Sequence, residues 1–179
     1  MPVLTAAVVV IGSLCVLNLL LTLGVIRRLR EHTELLTRPA QHHGGPGTPV
    51  GEEVGDFQAS TVDGQPVARA DLAAAAGETF VAVLTPHCRP CTEKLPALAA
   101  HLRARSGGAL VVVVGDAGEA ADMLATLSPV ARVVVDKPGG PVATAFQATA
   151  FPTMLTVAPD GAGRLRATAN LLDVPTHSG

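Results

Sequence analysis

An apolar run followed directly by two closely spaced cysteines is the feature that most constrains the fold of this chain. Residues 80–84 read Phe-Val-Ala-Val-Leu, and a short continuous apolar run is typical of a strand buried on both faces of a sheet. Cys88 and Cys91 come shortly after it, and Leu98 and Leu102 then recur at helical spacing. The sequence therefore predicts a strand, a junction that carries both sulfurs, and an amphipathic helix.

The position of Cys88 favours its ionised form. In the first turn of a helix the free backbone N–H groups and the helix dipole attract an anion, and Arg89 and a protonated His87 would add positive charge. A thiolate is the nucleophilic form of cysteine. Because Cys91 lies one turn further along, the pair can cycle between dithiol and disulfide through a mixed disulfide with a partner.

Two structural interpretations of the cysteine pair compete with the redox one. A zinc site would need two more Cys or His ligands at suitable spacing, and the only other cysteine, Cys15, lies in the apolar N-terminal segment. A purely structural disulfide would close a very short loop and so restrict the unfolded chain little. We therefore prefer redox activity for Cys88 and Cys91.

Composition excludes nucleic acid as a partner and leaves room for one domain with an appendage. The chain has 179 residues and a formal net charge of −2 at pH 7, so no basic surface is available for phosphates. It contains no Trp or Tyr and four Phe, which leaves almost nothing for stacking on bases. The core must be built from Val, Leu and Ala.

The N-terminus predicts a membrane anchor. Residues 3–26 are uncharged and almost continuously apolar, longer than the roughly 20 residues that a spanning helix needs. A cleaved signal peptide would begin with positive charge, and no Lys or Arg precedes the run. We predict a single-pass anchor at 1–28, a stalk and Gly/Pro linker at 29–51, and a globular domain at 52–179.

The charges beside the anchor favour one side of the membrane. Arg27, Arg28 and Arg30 follow the apolar run directly, and positive flanks stay preferentially in the cytoplasm. That rule weakens when a long domain follows the span. Taken alone, these arginines predict a cytoplasmic redox domain.

Strands and helices alternate through the rest of the chain, which predicts an α/β fold with an antiparallel hairpin at its end. Such sheets carry their reactive site beyond the carboxyl ends of the strands, where Cys88 falls. Two short strands joined by an Asp63-Gly64 turn precede this unit. The later predicted strands are 79–84, 109–114, 130–135, 153–157 and 164–168, and the predicted helices are 71–76, from the cysteine pair to about 105, 116–127 and 141–147.

A second chemical element is predicted at Phe151-Pro152-Thr153. The proline could simply mark the start of a strand. Alternatively, it could be a cis-proline that packs against the cysteine pair and presents the backbone of Phe151 to a thiol substrate. Cis bonds are uncommon even before proline, so spacing alone leaves both interpretations open.

These residues together resemble the thioredoxin superfamily, specifically membrane-anchored thiol–disulfide oxidoreductases of the TlpA and MauD kind, which carry a redoxin domain. The resemblance covers about residues 50–172. Its motifs are Gly55-Asp56-Phe57 with Thr61-Val62-Asp63-Gly64, Cys88-Arg89-Pro90-Cys91 with Pro96, and Phe151-Pro152-Thr153 with Asp160-Gly161.

The resemblance implies a thioredoxin-like fold, a central mixed sheet flanked by helices, preceded by the transmembrane helix. It implies that Cys88 attacks, that Cys91 resolves the adduct and that Pro152 is cis. Its partners would be protein thiols or disulfides and a membrane redox protein, and it would need neither cofactor nor metal. The resemblance also implies that the domain lies outside the cytoplasm, whereas Arg27, Arg28 and Arg30 favour the cytoplasmic side. The residues expected to tune the site or contact substrate are His87, Arg89, Phe151 and Thr153.

The sequence departs from the family pattern in three places. His87 stands where the family usually has Trp, which makes the rim of the site more polar. The strand at 80–84 lacks the buried acid that many thioredoxins carry, so Glu93 or a water is left to accept the proton of Cys91. The chain also ends soon after its last strand, which leaves little for the family's terminal helix.

Two other functions are compatible with parts of the sequence. A peroxiredoxin-type peroxidase would place Thr85 before the reactive Cys88, but Val81 stands where that family has proline, and Pro152-Thr153 displaces its arginine. A non-catalytic metal-handling or assembly factor could use His87 with both cysteines as ligands, for instance for copper(I). Peroxide consumption and metal content would distinguish these alternatives.

Overall fold

The computed structural model describes residues 46–171 and, before them, the single positions Gly12, Leu14 and Asn18. The predicted anchor and stalk lie almost wholly outside this part of the chain. Within the described residues, no helix has both the length and the apolar character that crossing a bilayer requires. The anchor at 1–28 therefore stays a prediction.

Strands and helices alternate through the described domain, as predicted. The strands are β1 (Gln58–Ser60), β2 (Pro66–Ala68), β3 (Thr79–Leu84), β4 (Ala109–Val114), β5 (Arg132–Asp136), β6 (Thr153–Pro159) and β7 (Leu165–Leu171). The helices are α1 (Arg69–Ala73), between β2 and β3; α2 (Arg89–Ala104), between β3 and β4; α3 (Ala121–Leu127), between β4 and β5; and α4 (Pro141–Ala145), between β5 and β6.

Five strands form one mixed sheet with β3 at its centre. The order is β5-β4-β3-β6-β7; β3, β4 and β5 run parallel, and β6 and β7 are antiparallel to their neighbours. Val81 lies between Leu110 of β4 and Leu155 of β6. Because parallel strands end at the same edge, the segment after β3, which carries Cys88, emerges beside the segment after β4.

Both faces of the sheet are covered, which explains why β3 and β4 are apolar throughout. Successive side chains of a strand point to opposite faces, so Val81 and Val83 join a cluster with Phe146. Phe80 and Leu84 join a second cluster on the other face, with residues of α2 and α3. The cysteine junction therefore follows a central strand that is buried at every position.

The two outer strands are also covered, by segments that precede the sheet. On β5, the N–H of Val62 donates to the carbonyl of Val133 (2.8 Å). On β7, Gly51 donates to Ala167 (2.8 Å) and Val54 to Leu165 (2.9 Å). Residues at the end of the predicted linker therefore bond to the sheet, and each outer strand is covered over part of its length.

Several predicted boundaries are wrong by a few residues, and local hydrogen bonds explain the largest error. The helix predicted from Asp116 begins at Ala121, because the Asp116 side chain accepts from the N–H of Gly118 (2.8 Å) and so forms a turn. The helix predicted to 147 ends at Ala145, and Gln147 has a positive φ of 50°. The last strand continues to Leu171.

Candidate active site

Cys88 occupies the N-cap position of α2, at the junction that the sequence predicts. Its backbone is extended (φ −101°, ψ 107°), and its carbonyl accepts hydrogen bonds from Cys91 (2.9 Å) and Thr92 (3.2 Å). Pro90 lies in the first turn, where a residue without an N–H breaks no helical bond. The local sequence therefore starts the helix at the first cysteine.

The two sulfurs have different environments. Cys88 is half-buried, Cys91 is 1% exposed, and both are free thiols. Burial, followed by a hydrogen bond with the Cys88 side chain, raises the pKa of the Cys91 thiol to about 12. At neutral pH, Cys91 is therefore a protonated thiol, and Cys88 is the sulfur that a partner can reach.

The predicted Phe151-Pro152 element meets the cysteines in space. The Phe151–Pro152 peptide bond is cis, as the second interpretation of that proline requires; the presentation of the Phe151 backbone to a substrate stays a prediction. The Cys88 thiol donates to the carbonyl of Phe151 at 3.3 Å, although the two residues are 63 apart in the sequence. Thr153 is fully buried, and its hydroxyl donates to the carbonyl of Ala150 (2.6 Å). Thr153 thus holds the loop of Phe151 in place and does not line the surface.

The two charged residues beside Cys88 both pair with carboxylates. His87 Nε2 lies 3.0 Å from Glu119 Oε2, and Arg89 Nε lies 2.6 Å from Glu93 Oε1. The Arg89 side chain is 87% exposed, so water and Glu93 screen its charge. Glu93 and solvent therefore compensate most of the positive charge that the sequence predicts beside Cys88, and the role of Glu93 as proton acceptor for Cys91 stays a prediction.

The sequence alone does not predict the contacts of two acidic residues in this region. Glu119 pairs with His87 (3.0 Å) from a turn before α3 that the sequence predicts as helix, and no local signal marks that contact. Asp136, at the end of β5, is 7% exposed, and its carboxylate accepts from the N–H groups of Val142 (2.9 Å) and Ala143 (3.0 Å). It therefore caps α4, whose own N-cap residue, Gly140, has no side chain to do so.

A groove of about 740 Å³ opens next to Cys88. Its lining includes His87, which precedes Cys88 in the chain, and Phe151, whose carbonyl accepts the hydrogen bond of the Cys88 thiol. The rest of the lining comes from the segments after β3, β4 and β5 and from α4 with the loop that follows it. A molecule bound in this groove would lie beside the accessible sulfur.

No arrangement suited to a metal ion is found in the part of the chain that the structure describes. No group of three or more His, Cys, Asp or Glu side chains is placed to hold one there. The imidazole of His87, the third ligand in the metal-handling hypothesis, pairs with Glu119. The described residues therefore provide no support for that alternative.

Solved structures share this architecture, whereas no family model and no curated protein sequence matches the chain. A secreted Mycobacterium tuberculosis disulfide oxidoreductase homologous to E. coli DsbE is 18% identical, with a TM-score of 0.53 over 67% of this chain and 87% of that one. The thioredoxin domain of a Bacteroides vulgatus thiol-disulfide oxidoreductase is 16% identical (TM-score 0.55; 69% and 89% covered). A thioredoxin family thiol:disulfide interchange protein from Chlorobium tepidum is 19% identical (0.53; 74% and 90%).

The chain has a thioredoxin-like fold. The mixed central sheet with helices, predicted from the motifs, is confirmed by these neighbours. In this thioredoxin-like domain, the loops after β3 and before β6 bring the Cys88 thiol onto the Phe151 carbonyl.

Alkylation should distinguish the two cysteines. We expect iodoacetamide at pH 7 to modify Cys88 in the reduced protein and to leave Cys91 unmodified, because Cys91 is buried and its pKa is about 12. Peptide mapping by mass spectrometry measures each site, and urea-unfolded protein, in which both thiols are exposed, is the control. Equal labelling of the two sites in the folded protein would contradict this expectation.

Proposed function

We propose that this protein is a thiol–disulfide oxidoreductase that exchanges disulfides with a protein partner through Cys88 and Cys91. The observation that carries the proposal is the half-buried Cys88 thiol, which donates a hydrogen bond to the Phe151 carbonyl (3.3 Å) and is hydrogen-bonded to the buried thiol of Cys91. The names of the structural neighbours, several of which are thiol-disulfide oxidoreductases, support the same activity.

The exchange takes place in two displacements. The Cys88 thiolate attacks one sulfur of the partner's disulfide, the partner's S–S bond breaks, and its second sulfur leaves as a thiolate that takes up a proton. The Cys91 sulfur, after losing its proton, then attacks Cys88 and releases the partner's first sulfur as a thiol. The partner gains two electrons and the protein ends with a Cys88–Cys91 disulfide; the reverse sequence oxidises a partner.

Forming the mixed disulfide prepares Cys91 for the second step. Two of the interactions that raise the pKa of Cys91 come from Cys88, a hydrogen bond and the charge of its sulfur. Both are lost when the Cys88 sulfur becomes part of a disulfide. Burial, the largest cause of the raised pKa, remains, but the loss of these two contributions should bring the pKa of Cys91 below about 12 and make its deprotonation easier at this step.

Turnover of a protein disulfide tests the proposal. With dithiothreitol as reductant, the protein should accelerate insulin reduction, and a titration against glutathione buffers should give one two-electron transition between dithiol and disulfide. The matched control is protein alkylated beforehand with iodoacetamide. Failure to accelerate insulin reduction together with rapid consumption of peroxide would favour the peroxidase alternative.

We also propose that residues 1–28 anchor the domain to a membrane, with the domain outside the cytoplasm and a membrane redox protein as its second partner. The long uncharged run supports the anchor, and the resemblance to anchored relatives supports the side. Labelling Cys88 in intact cells with a membrane-impermeant maleimide tests the side. Labelling only after the cells are lysed would place the domain in the cytoplasm, as Arg27, Arg28 and Arg30 suggest.

A further inference from the structure

The groove beside Cys88 has the size and the position of a substrate site. Its volume of about 740 Å³ lies within the roughly 300–1,000 Å³ that is usual for ligand sites. His87 precedes Cys88 in the chain, and the Phe151 carbonyl accepts the Cys88 thiol hydrogen bond (3.3 Å), so two walls of the groove touch the reactive residue. A segment bound there would contact both His87, the chain neighbour of Cys88, and Phe151, the hydrogen-bond partner of its thiol.

The walls of the groove are made mostly of small side chains. Gly115 and Gly139 leave backbone exposed to a bound chain, and Ala143 and Ala148 add little bulk. Phe151 is the only large apolar side chain with an aromatic ring among the residues that line the groove. Walls of this kind accept an extended peptide with side chains of many sizes, and shape alone therefore selects weakly among them.

Charge provides the selection that shape does not. Asp116 and Glu119 are the carboxylates of the lining, His87 is its one ionisable base, and none of the lining residues is Lys or Arg. The Asp116 side chain accepts a hydrogen bond from the N–H of Gly118 (2.8 Å), and Glu119 pairs with His87 (3.0 Å). Even with His87 protonated, the lining keeps a net negative charge.

The negative charge of Glu119 lies within a bounded distance of Cys88. One Cα–Cα step, the length of the His87 side chain and its 3.0 Å contact with Glu119 place the carboxylate at most roughly 11 Å from the Cα of Cys88. An extended chain covers at most that distance in about three residues. The position opposite Glu119 is therefore within about three residues of the substrate cysteine.

We infer that the groove selects partner segments that carry Lys or Arg within about three residues of the reacting cysteine. The inference rests on the proposed exchange activity and names the substrate class of the same site. The occupant is an extended, basic, cysteine-containing segment of a partner protein. Its cation lies against Asp116 and Glu119 while its sulfur meets Cys88.

Three synthetic peptides test this selection. They share one cysteine, activated as a neutral thiopyridyl disulfide, and differ only in having Lys, Gln or Glu three residues away. Attack by Cys88 joins the peptide sulfur to Cys88 and releases the thiopyridine, whose absorbance gives the second-order rate constant. We expect the Lys peptide to react about fivefold faster than the Gln peptide at low salt, as exposed charge pairs allow, and the Glu peptide to be slowest. At 0.5 M salt, screening should remove most of the difference.

Variants of the carboxylates locate the effect. Glu119→Gln and Asp116→Asn should each reduce the preference for Lys, whereas Asp122→Asn, an exposed acid of α3 outside the groove, should preserve it. Asp116→Asn leaves the His87–Glu119 pair in place. Each rate constant is divided by the rate constant for alkylation of Cys88 by iodoacetamide in the same variant. This ratio corrects for any change in the intrinsic reactivity of the Cys88 sulfur.

The outcomes separate this inference from the proposed function. Equal rates for the three peptides at low salt, with Cys88 still reactive, would overturn the basic-segment selection and leave the exchange activity standing. A preference for Lys that persists in the Asp116→Asn, Glu119→Gln double variant would also overturn it. If Cys88 reacted with none of the three peptides, both the proposed function and this inference would be contradicted.

Discussion

Replacing Cys88 with serine should reduce insulin reduction at least about a thousandfold, to the uncatalysed background. A serine hydroxyl is almost never ionised at neutral pH and cannot form a disulfide. Cys91 cannot take over, because it is 1% exposed and its pKa is about 12. The rate of dithiothreitol-dependent insulin precipitation measures the loss.

The Cys91→Ser variant should behave differently and accumulate the mixed disulfide. Its Cys88 still attacks the partner, but no second sulfur is present to release it. Non-reducing electrophoresis and intact-mass analysis should detect a covalent adduct that dithiothreitol removes. The control is Cys15→Ser, which we expect to leave both turnover and trapping unchanged. Activity of Cys88→Ser equal to that of the unmodified protein would end the oxidoreductase proposal.

Replacing Asp136 with alanine should lower the free energy of unfolding by about 3 kcal/mol, because hydrogen bonds to a charged group contribute about 1.5–3 kcal/mol each. The buried carboxylate accepts from Lys137 (2.9 Å) as well as from Val142 and Ala143. Without it, two buried N–H groups at the start of α4 have no acceptor. Urea unfolding followed by circular dichroism measures the loss.

Two companion variants identify the cap as the cause. Asp136→Asn should recover part of the stability, since an amide oxygen still accepts a hydrogen bond, and Asp122→Asn on the exposed surface of α3 should change stability by less than about 0.5 kcal/mol. A loss below about 1 kcal/mol for Asp136→Ala would show that water or a neighbouring group replaces the carboxylate. Because α4 borders the groove, the alanine variant should also weaken selection among the peptide substrates.

The sequence by itself determined the elements that surround the cysteines. The bounds predicted for β3 and β4 match the structure, because a strand buried on both faces must be apolar at every position. The helix after the cysteine pair was equally readable, since Leu98 and Leu102 recur at its period. The apolar character of a buried strand and the spacing of apolar residues on a helix are local features, so the sequence pattern alone predicts them.

Tertiary structure alone decided what surrounds the Cys88 sulfur. The Phe151 carbonyl that accepts its hydrogen bond is 63 residues away, and Glu119 meets His87 across 32 residues. Both contacts exist because β3, β4 and β6 are adjacent in the sheet, which gathers the loops at their ends into one place. Sequence spacing does not specify the order of strands in a sheet. The pairing of His87 with Glu119, the capping of α4 by Asp136 and the negative charge of the groove therefore depend on the folded domain.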